Sequence, residues 1–214
     1  SEVLGAWGAR PIEWLMDNHD VDKKWCLVHA TQMEPHETLA VAKSGATIGL
    51  CPITESNLGD GIFDGVRYQD AGGIFGIGSD SNVRISLSEE LRTLEYSLRL
   101  QTKRRAVYAS PDKSSGRALF EGSLIGGAQA TDRKAGKIEQ GYLADFMALD
   151  MTATNLIGKS GDSILDSYIF TGSDAMVSDV WSAGRHVVSG GAHVKRDVIT
   201  RRYHETILSL KDRI

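Results

Sequence analysis

The 214-residue chain carries 41% hydrophobic and 24% charged residues with only 4 prolines. These values exclude a disordered, collagenous or coiled-coil protein and allow a core that buries about 70% of the unfolded surface. A net charge of −4 and a pI near 5.9 leave no electrostatic footprint for nucleic acid or an anionic membrane, so a small-molecule partner is expected.

Cys26 and Cys51 lie in apolar runs and read as reduced core thiols, which points to the cytoplasm. No apolar run approaches the roughly 18 residues needed to span a bilayer. The opening Ser1–Trp7 lacks the basic start and apolar centre of a signal peptide. There is no initiator methionine, which fits processing or a first residue that is not the first of the gene product.

From Pro11 to Ser81 the pattern alternates amphipathic stretches with short apolar runs, as in strand–helix units on a parallel sheet. Trp25–His29, Thr47–Pro52 and Gly73–Asp80 are the expected strands, with a helix over Pro35–Lys43 between the first two. Chemistry in parallel α/β architectures gathers at the carboxyl ends of strands. His29, Thr54–Asn57 and Ser79–Asn82 would therefore share one rim. Ser86 with Glu89 forms a capping box for a long helix running to about Lys103, striped by Leu91, Leu94, Leu98 and Leu100. A second helix covers roughly Ser114–Ala130. Past Thr131 the character changes: Gly136–Asp150 reads as two short strands around a turn, and Val177–Val194 as an antiparallel stretch turning at Gly184 and Gly190-Gly191. The expected division is a half-barrel over 1–130, a small β domain over 131–198 and a surface helix over 199–214.

Several motifs fail. Gly158-Lys159-Ser160 has Ala153 where a phosphate-binding loop needs its first glycine. Gly76-Ile77-Gly78 lacks the third glycine of a dinucleotide fingerprint and ends in an acidic cluster. His204-Glu205 lacks the second histidine of a helical zinc site. His29 and Asp80, each ending a strand, remain. Hydrolysis of a C–N bond needs an activated water and a proton carrier, and a metal with a carboxylate and a histidine supplies both. His29 could equally be a core histidine satisfied by backbone, and Asp80 a turn cap helped by Ser79 and Ser81.

The string Gly78-Ser79-Asp80-Ser81 after an apolar strand resembles the eighth-strand aspartate motif of the amidohydrolase superfamily. Leu27-Val28-His29-Ala30-Thr31 is similar to its sixth-strand histidine segment. Gly136–Asp150 resembles the family's G-x-I-x-x-G-x-x-A-D return to its β domain, and Val180–Val188 its V-W-x-x-G-R-x-V-V strand pair. Within the superfamily, Gly8–Leu15, Trp25–Thr31, Cys51–Phe63 and Ser79–Asn82 resemble the formimidoylglutamate deiminases of histidine degradation.

The resemblance implies a (β/α)8 TIM barrel with a small β-sandwich-like domain, in a zinc-dependent homodimer. The chemistry implied is attack of metal-activated water on the formimino carbon of N-formimidoyl-L-glutamate. Asp80 would ligate the metal and shuttle a proton, and His29 would accept a proton and polarise the substrate. Glu55, Asn57, Ser81, Asn82 and Arg84 would meet the substrate or simply cap loops, Arg84 being suited to a substrate carboxylate.

The family's His-x-His pair and its fifth-strand histidine have no counterpart among the six histidines at 19, 29, 36, 186, 193 and 204. The chain therefore resembles the C-terminal half only, strands six to eight and part of the β domain, and would need the other half to close its barrel and complete its zinc site. Two other readings compete: a superfamily deaminase or chlorohydrolase acting on a ring, and a non-catalytic assembly module. Trp7, Trp14 and Trp25 read as packing. His186 and His193 read as surface residues, as do the pairs Arg104-Arg105 and Arg201-Arg202.

Overall fold

The computed structural model describes residues 2–213. Two short helices, α1 (Glu2–Trp7) and α2 (Pro11–Asn18), lead into strand β1 (Cys26–Val28). Next come α3 (Pro35–Ser44), β2 (Thr47–Leu50), α4 (Pro52–Leu58), α5 (Gly65–Asp70) and β3 (Ile74–Ile77). The strands form a parallel sheet in the order β1-β2-β3, the α/β arrangement expected from the alternating pattern. Proline at the first helical position of α2, α3 and α4 gives up an N–H that would lack a partner there anyway. In the expected strand Thr47–Pro52, Pro52 opens α4, so β2 ends at Leu50 and Thr54–Asn57 lie on a helix instead of a loop.

Leu27, Ile48 and Phe75 are register partners across the sheet and pack into the core beneath the helices. Tyr68 is fully buried, its hydroxyl 3.0 Å from the carbonyl oxygens of both Ala46 and Ile74, so it ties together the starts of β2 and β3. Side chains alternate across a strand, and on β1 the alternate residues Cys26 and Val28 are exposed, Val28 to 56%. Within this chain Cys26 is exposed where a core thiol was expected, because its strand lies at the sheet edge with that face uncovered. Cys51 is buried as expected, and both cysteines are free.

Beyond the sheet lie α6 (Leu87–Thr102) and α7 (Ser115–Ala130). Ser86 caps α6 by accepting the Glu89 N–H at 3.3 Å. The reciprocal half of the expected capping box is missing because the Glu89 carboxylate turns to Arg84 and Arg92. Helix α7 is pressed onto β3, and a Cβ on Gly126 would collide with the Phe75 carbonyl.

The rest of the chain contains β4 (Phe146–Leu149), α8 (Asp162–Phe170), β5 (Val177–Ser182), β6 (Arg185–Ser189), β7 (Ala192–His193) and α9 (Arg196–Leu210). The four strands form one antiparallel sheet in chain order. Its two hairpins turn at Ala183-Gly184 and Gly190-Gly191, all four with positive φ, the geometry that matches strand twist in two-residue turns. Between β4 and β5 the chain returns to the helical layer. There the Asp166 carboxylate accepts the Gly116 N–H at 2.8 Å and Asp162 pairs with Arg117 at 2.8 Å. Of the two strands expected over Gly136–Asp150 only β4 forms. Gly136 and Gly141 hold positive φ and Ile138 is 86% exposed, so this stretch runs as turns with no strand beside it among the described residues. No helix among the described residues is long and apolar enough to cross a membrane.

Candidate active site

The three parallel strands end on one rim. The hydrogen-bond ladder continues one step past each end: the His29 N–H reaches the Gly49 carbonyl at 2.8 Å and the Gly78 N–H the Leu50 carbonyl at 2.9 Å. His29, Cys51 and Asp80 are therefore brought together from strands distant in sequence. The backbone here is strained. His29, Ala30, Asp80 and Asn82 all have φ between +47° and +65°, a region that costs a non-glycine residue about 1 kcal/mol or more and recurs at functional sites.

The centre of the cluster is the His29 ring. Its Nδ1 lies 3.3 Å from Glu55 Oε1 and its Nε2 3.7 Å from Asp80 Oδ2. Glu55, one of the residues expected to meet the substrate or cap a loop, turns inward to this ring. It is 5% exposed, and Oε1 also accepts the Cys51 N–H at 2.8 Å. Burial pushes its carboxyl above the ordinary range, opposed by the Cys51 N–H and by His29. A buried carboxylate beside Nδ1 places the ring proton there, which leaves the Nε2 lone pair facing Asp80. Asp80 is half-exposed and has no Lys or Arg partner among the described residues.

Cys51, which the sequence did not mark as a site residue, sits beside this pair. His29, Cys51 and Glu55 present donor atoms within 4.8 Å of one another. Burial, with Glu55 and Asp80 nearby, pushes the Cys51 thiol up to about 12, and it is the Cys51 backbone N–H that bonds Glu55. No spacing rule links Cys51 to His29; the signal available was its place at the end of an apolar run.

The remaining expected site residues are dispersed around the rim. Ser81 Oγ is 2.8 Å from Thr54 Oγ1, a bond that joins the β3 loop to α4. Asn82 Oδ1 accepts from Ser79 Oγ at 3.2 Å and so closes the same loop. Asn57 is exposed on α4. Arg84 is exposed and paired with Glu89.

The sequence matches the family model "Amidohydrolase family" over residues 5–187. The chain belongs to the amidohydrolase family. It is 44% identical over 97% of its length to formimidoylglutamate deiminase of Pseudomonas aeruginosa, of which it covers 46%. It is 28% identical over 91% of its length to a 5-methylthioadenosine/S-adenosylhomocysteine deaminase of Natronomonas pharaonis, covering 42% of that protein. Among solved structures, an amidohydrolase from Brucella melitensis superimposes with a TM-score of 0.90 at 46% identity, over 97% of this chain and 46% of that one. A zinc-bound adenosine deaminase from Xanthomonas campestris gives 0.83 at 22% identity, over 97% of this chain and 48% of that one, a likeness of fold. The chain thus spans about half the length of the relatives it matches.

Proposed function

We propose that the complete amidohydrolase of which this chain forms the C-terminal half hydrolyses N-formimidoyl-L-glutamate to N-formyl-L-glutamate and ammonia. The observation that carries this reading is the 44% identity to a formimidoylglutamate deiminase over 97% of the chain, including the rim on which His29 and Asp80 meet. In this reading β1, β2 and β3 are strands six to eight of a (β/α)8 barrel, and the antiparallel sheet is part of the accompanying β domain. The two free thiols fit a reducing, cytoplasmic setting.

The donor chemistry fits a divalent ion such as zinc. Among the described residues the Asp80 carboxylate has no Lys or Arg partner, and a carboxylate oxygen is a donor that zinc accepts. Asp80 would hold the ion together with ligands from outside this chain. Such an ion would supply a water activated for attack near neutral pH.

The chain's own residues then move the protons. Asp80 takes a proton as the water oxygen bonds to the formimino carbon. His29, fixed by Glu55, holds the substrate nitrogen at Nε2 and accepts or returns a proton there. The proton taken by Asp80 passes to the departing nitrogen, the C–N bond breaks, the nitrogen leaves as ammonia and the water oxygen remains as the formyl oxygen.

The second reading is a deaminase of a purine-type ring, favoured by the 28% identity to the Natronomonas pharaonis protein. Ammonia release by the full-length protein, supplied with zinc and assayed in parallel on formimidoylglutamate and 5-methylthioadenosine, separates the two. We expect kcat/KM for formimidoylglutamate to be at least 100-fold the higher. The opposite order transfers the reading to a ring substrate, and no release from either leaves a non-catalytic module.

A further inference from the structure

A second buried carboxylate lies one helix away from Glu55. Glu90, in the first turn of α6, is 2% exposed, and its Oε2 accepts the Ile53 N–H at 2.8 Å across 37 residues of sequence. Among the described residues its other oxygen, Oε1, is buried with no hydrogen-bond partner. Buried polar atoms are ordinarily satisfied, because desolvation is otherwise uncompensated. A buried Glu that leaves an oxygen unpaired is a poor choice for stability alone, so what it touches becomes the question.

It touches the start of α4. The first N–H groups of a helix have no partner within it, and in this seven-residue helix the Ile53 N–H is taken by Glu90. The Cys51 N–H just ahead of it is taken by Glu55, whose same Oε1 faces His29 Nδ1. The far side of the helix is tied to the β3 loop by Thr54, whose Oγ1 meets Ser81 Oγ and the Ser79 carbonyl. Helix α4 is thereby slung between α6 and the loop that carries Asp80, with Glu55 on its inner side. Burial also pushes the Glu90 carboxyl up to about 7, so near neutral pH the group is held without a full charge.

We infer that Glu90 is a positioning residue: its hold on the Ile53 N–H sets α4, and through Glu55 it sets the ring of His29. This rests on the proposed reading of His29 as the proton acceptor. What matters is reach, not charge, and two variants separate these. Glu90→Gln keeps the length and an acceptor oxygen; Glu90→Asp keeps the charge but falls short of Ile53.

The test uses the full-length protein with zinc. Two readouts are taken: steady-state ammonia release from formimidoylglutamate, and the imidazole ¹⁵N resonances of His29, assigned by loss in His29→Asn. Glu90→Gln is expected within threefold of the wild-type kcat, with the Nδ1–H signature of His29 retained. Glu90→Asp is expected to lose about 10- to 100-fold in kcat, the range for removing a supporting partner of a site residue. Its KM should stay within threefold and its His29 resonance should shift. Should Glu90→Asp fail to fold, Glu90→Ser, shorter still, supplies the comparison of reach. The inference is overturned if the short variant matches wild type in kcat and resonance, or if Glu90→Gln falls as far as the short variant. If the wild type releases no ammonia from formimidoylglutamate, the functional reading fails separately, and the His29 resonance still decides the role of Glu90.

Discussion

His29 Nδ1 faces Glu55 Oε1 at 3.3 Å, a contact between residues 26 apart that fixes which ring nitrogen is left to work. Because Glu55 is buried and also holds the Cys51 N–H, its loss would free the ring to rotate and to change tautomer. Glu55→Leu is expected to lower kcat about 10- to 100-fold. His29→Asn, which removes the acceptor itself, should cost about 10²- to 10⁴-fold. Ammonia release by the complete enzyme measures both, and a Glu55→Leu loss equal to that of His29→Asn would mean Glu55 takes part directly.

Asp80 presents a half-exposed carboxylate with no cation beside it among the described residues. Asp80→Asn removes the negative donor while keeping the shape, and is expected to lower both the zinc retained after dialysis and the turnover. Plasma emission on the dialysed full-length protein reads the first. Full zinc retention by the variant would assign the ion to other ligands.

The parallel sheet was legible because buried strands are continuous apolar runs, and Trp25–His29, Thr47–Pro52 and Gly73–Asp80 contain β1, β2 and β3. The Ser86 cap before α6, and the turn glycines Gly184 and Gly190-Gly191, fixed further ends. Meeting of His29 with Asp80 followed from strand ends sharing a rim. The inward turn of Glu55 did not, since it depends on α4 starting at Pro52 and on a partner 26 residues back. Exposure of Cys26 was also hidden, because an apolar run does not say whether its other face has a neighbour.

Gly126 and Gly127 are adjacent on α7 and should respond oppositely to alanine. A Cβ at Gly126 collides with the Phe75 carbonyl, whereas one at Gly127 meets nothing within 4 Å. Overpacking costs about 1–3 kcal/mol, and alanine gains up to about 1 kcal/mol over glycine in a helix. Gly126→Ala should therefore lower the urea midpoint and Gly127→Ala should leave it unchanged or raise it. Equal responses would mean α7 does not rest on β3 at this point.

Glu90 gives stability a pH dependence of defined sign. Its carboxyl, ordinarily near 4.5, is raised to about 7 by burial, so the folded state holds a proton that the unfolded state has already released. Below about 4.5 both states are protonated and nothing is lost. Between about 4.5 and 7 stability falls as pH rises, by about 3 kcal/mol in all, and then levels off. Glu55, also raised by burial, adds a slope of the same sign. Denaturant midpoints from pH 4.5 to 8 should decline in the wild type and decline less in Glu90→Gln. Parallel curves would show that Glu90 is not protonated at neutral pH.

The exposed face of β1 predicts how the two thiols differ. Cys26 is exposed beside Val28, although partial burial raises its thiol, whereas Cys51 is enclosed and its thiol is pushed up to about 12. Since the thiolate is the reacting form, a disulfide reagent at pH 8 should modify Cys26 of the isolated 214-residue chain quickly and leave Cys51 until the chain is unfolded. An edge strand with open backbone groups and an apolar neighbour calls for cover, and in the proposed barrel that cover is the other half of the protein. Co-expression with that half should slow Cys26 labelling by at least tenfold and restore ammonia release together. Protection without activity would point to a barrel that closes but does not catalyse, and continued fast labelling would place the cover elsewhere than over β1.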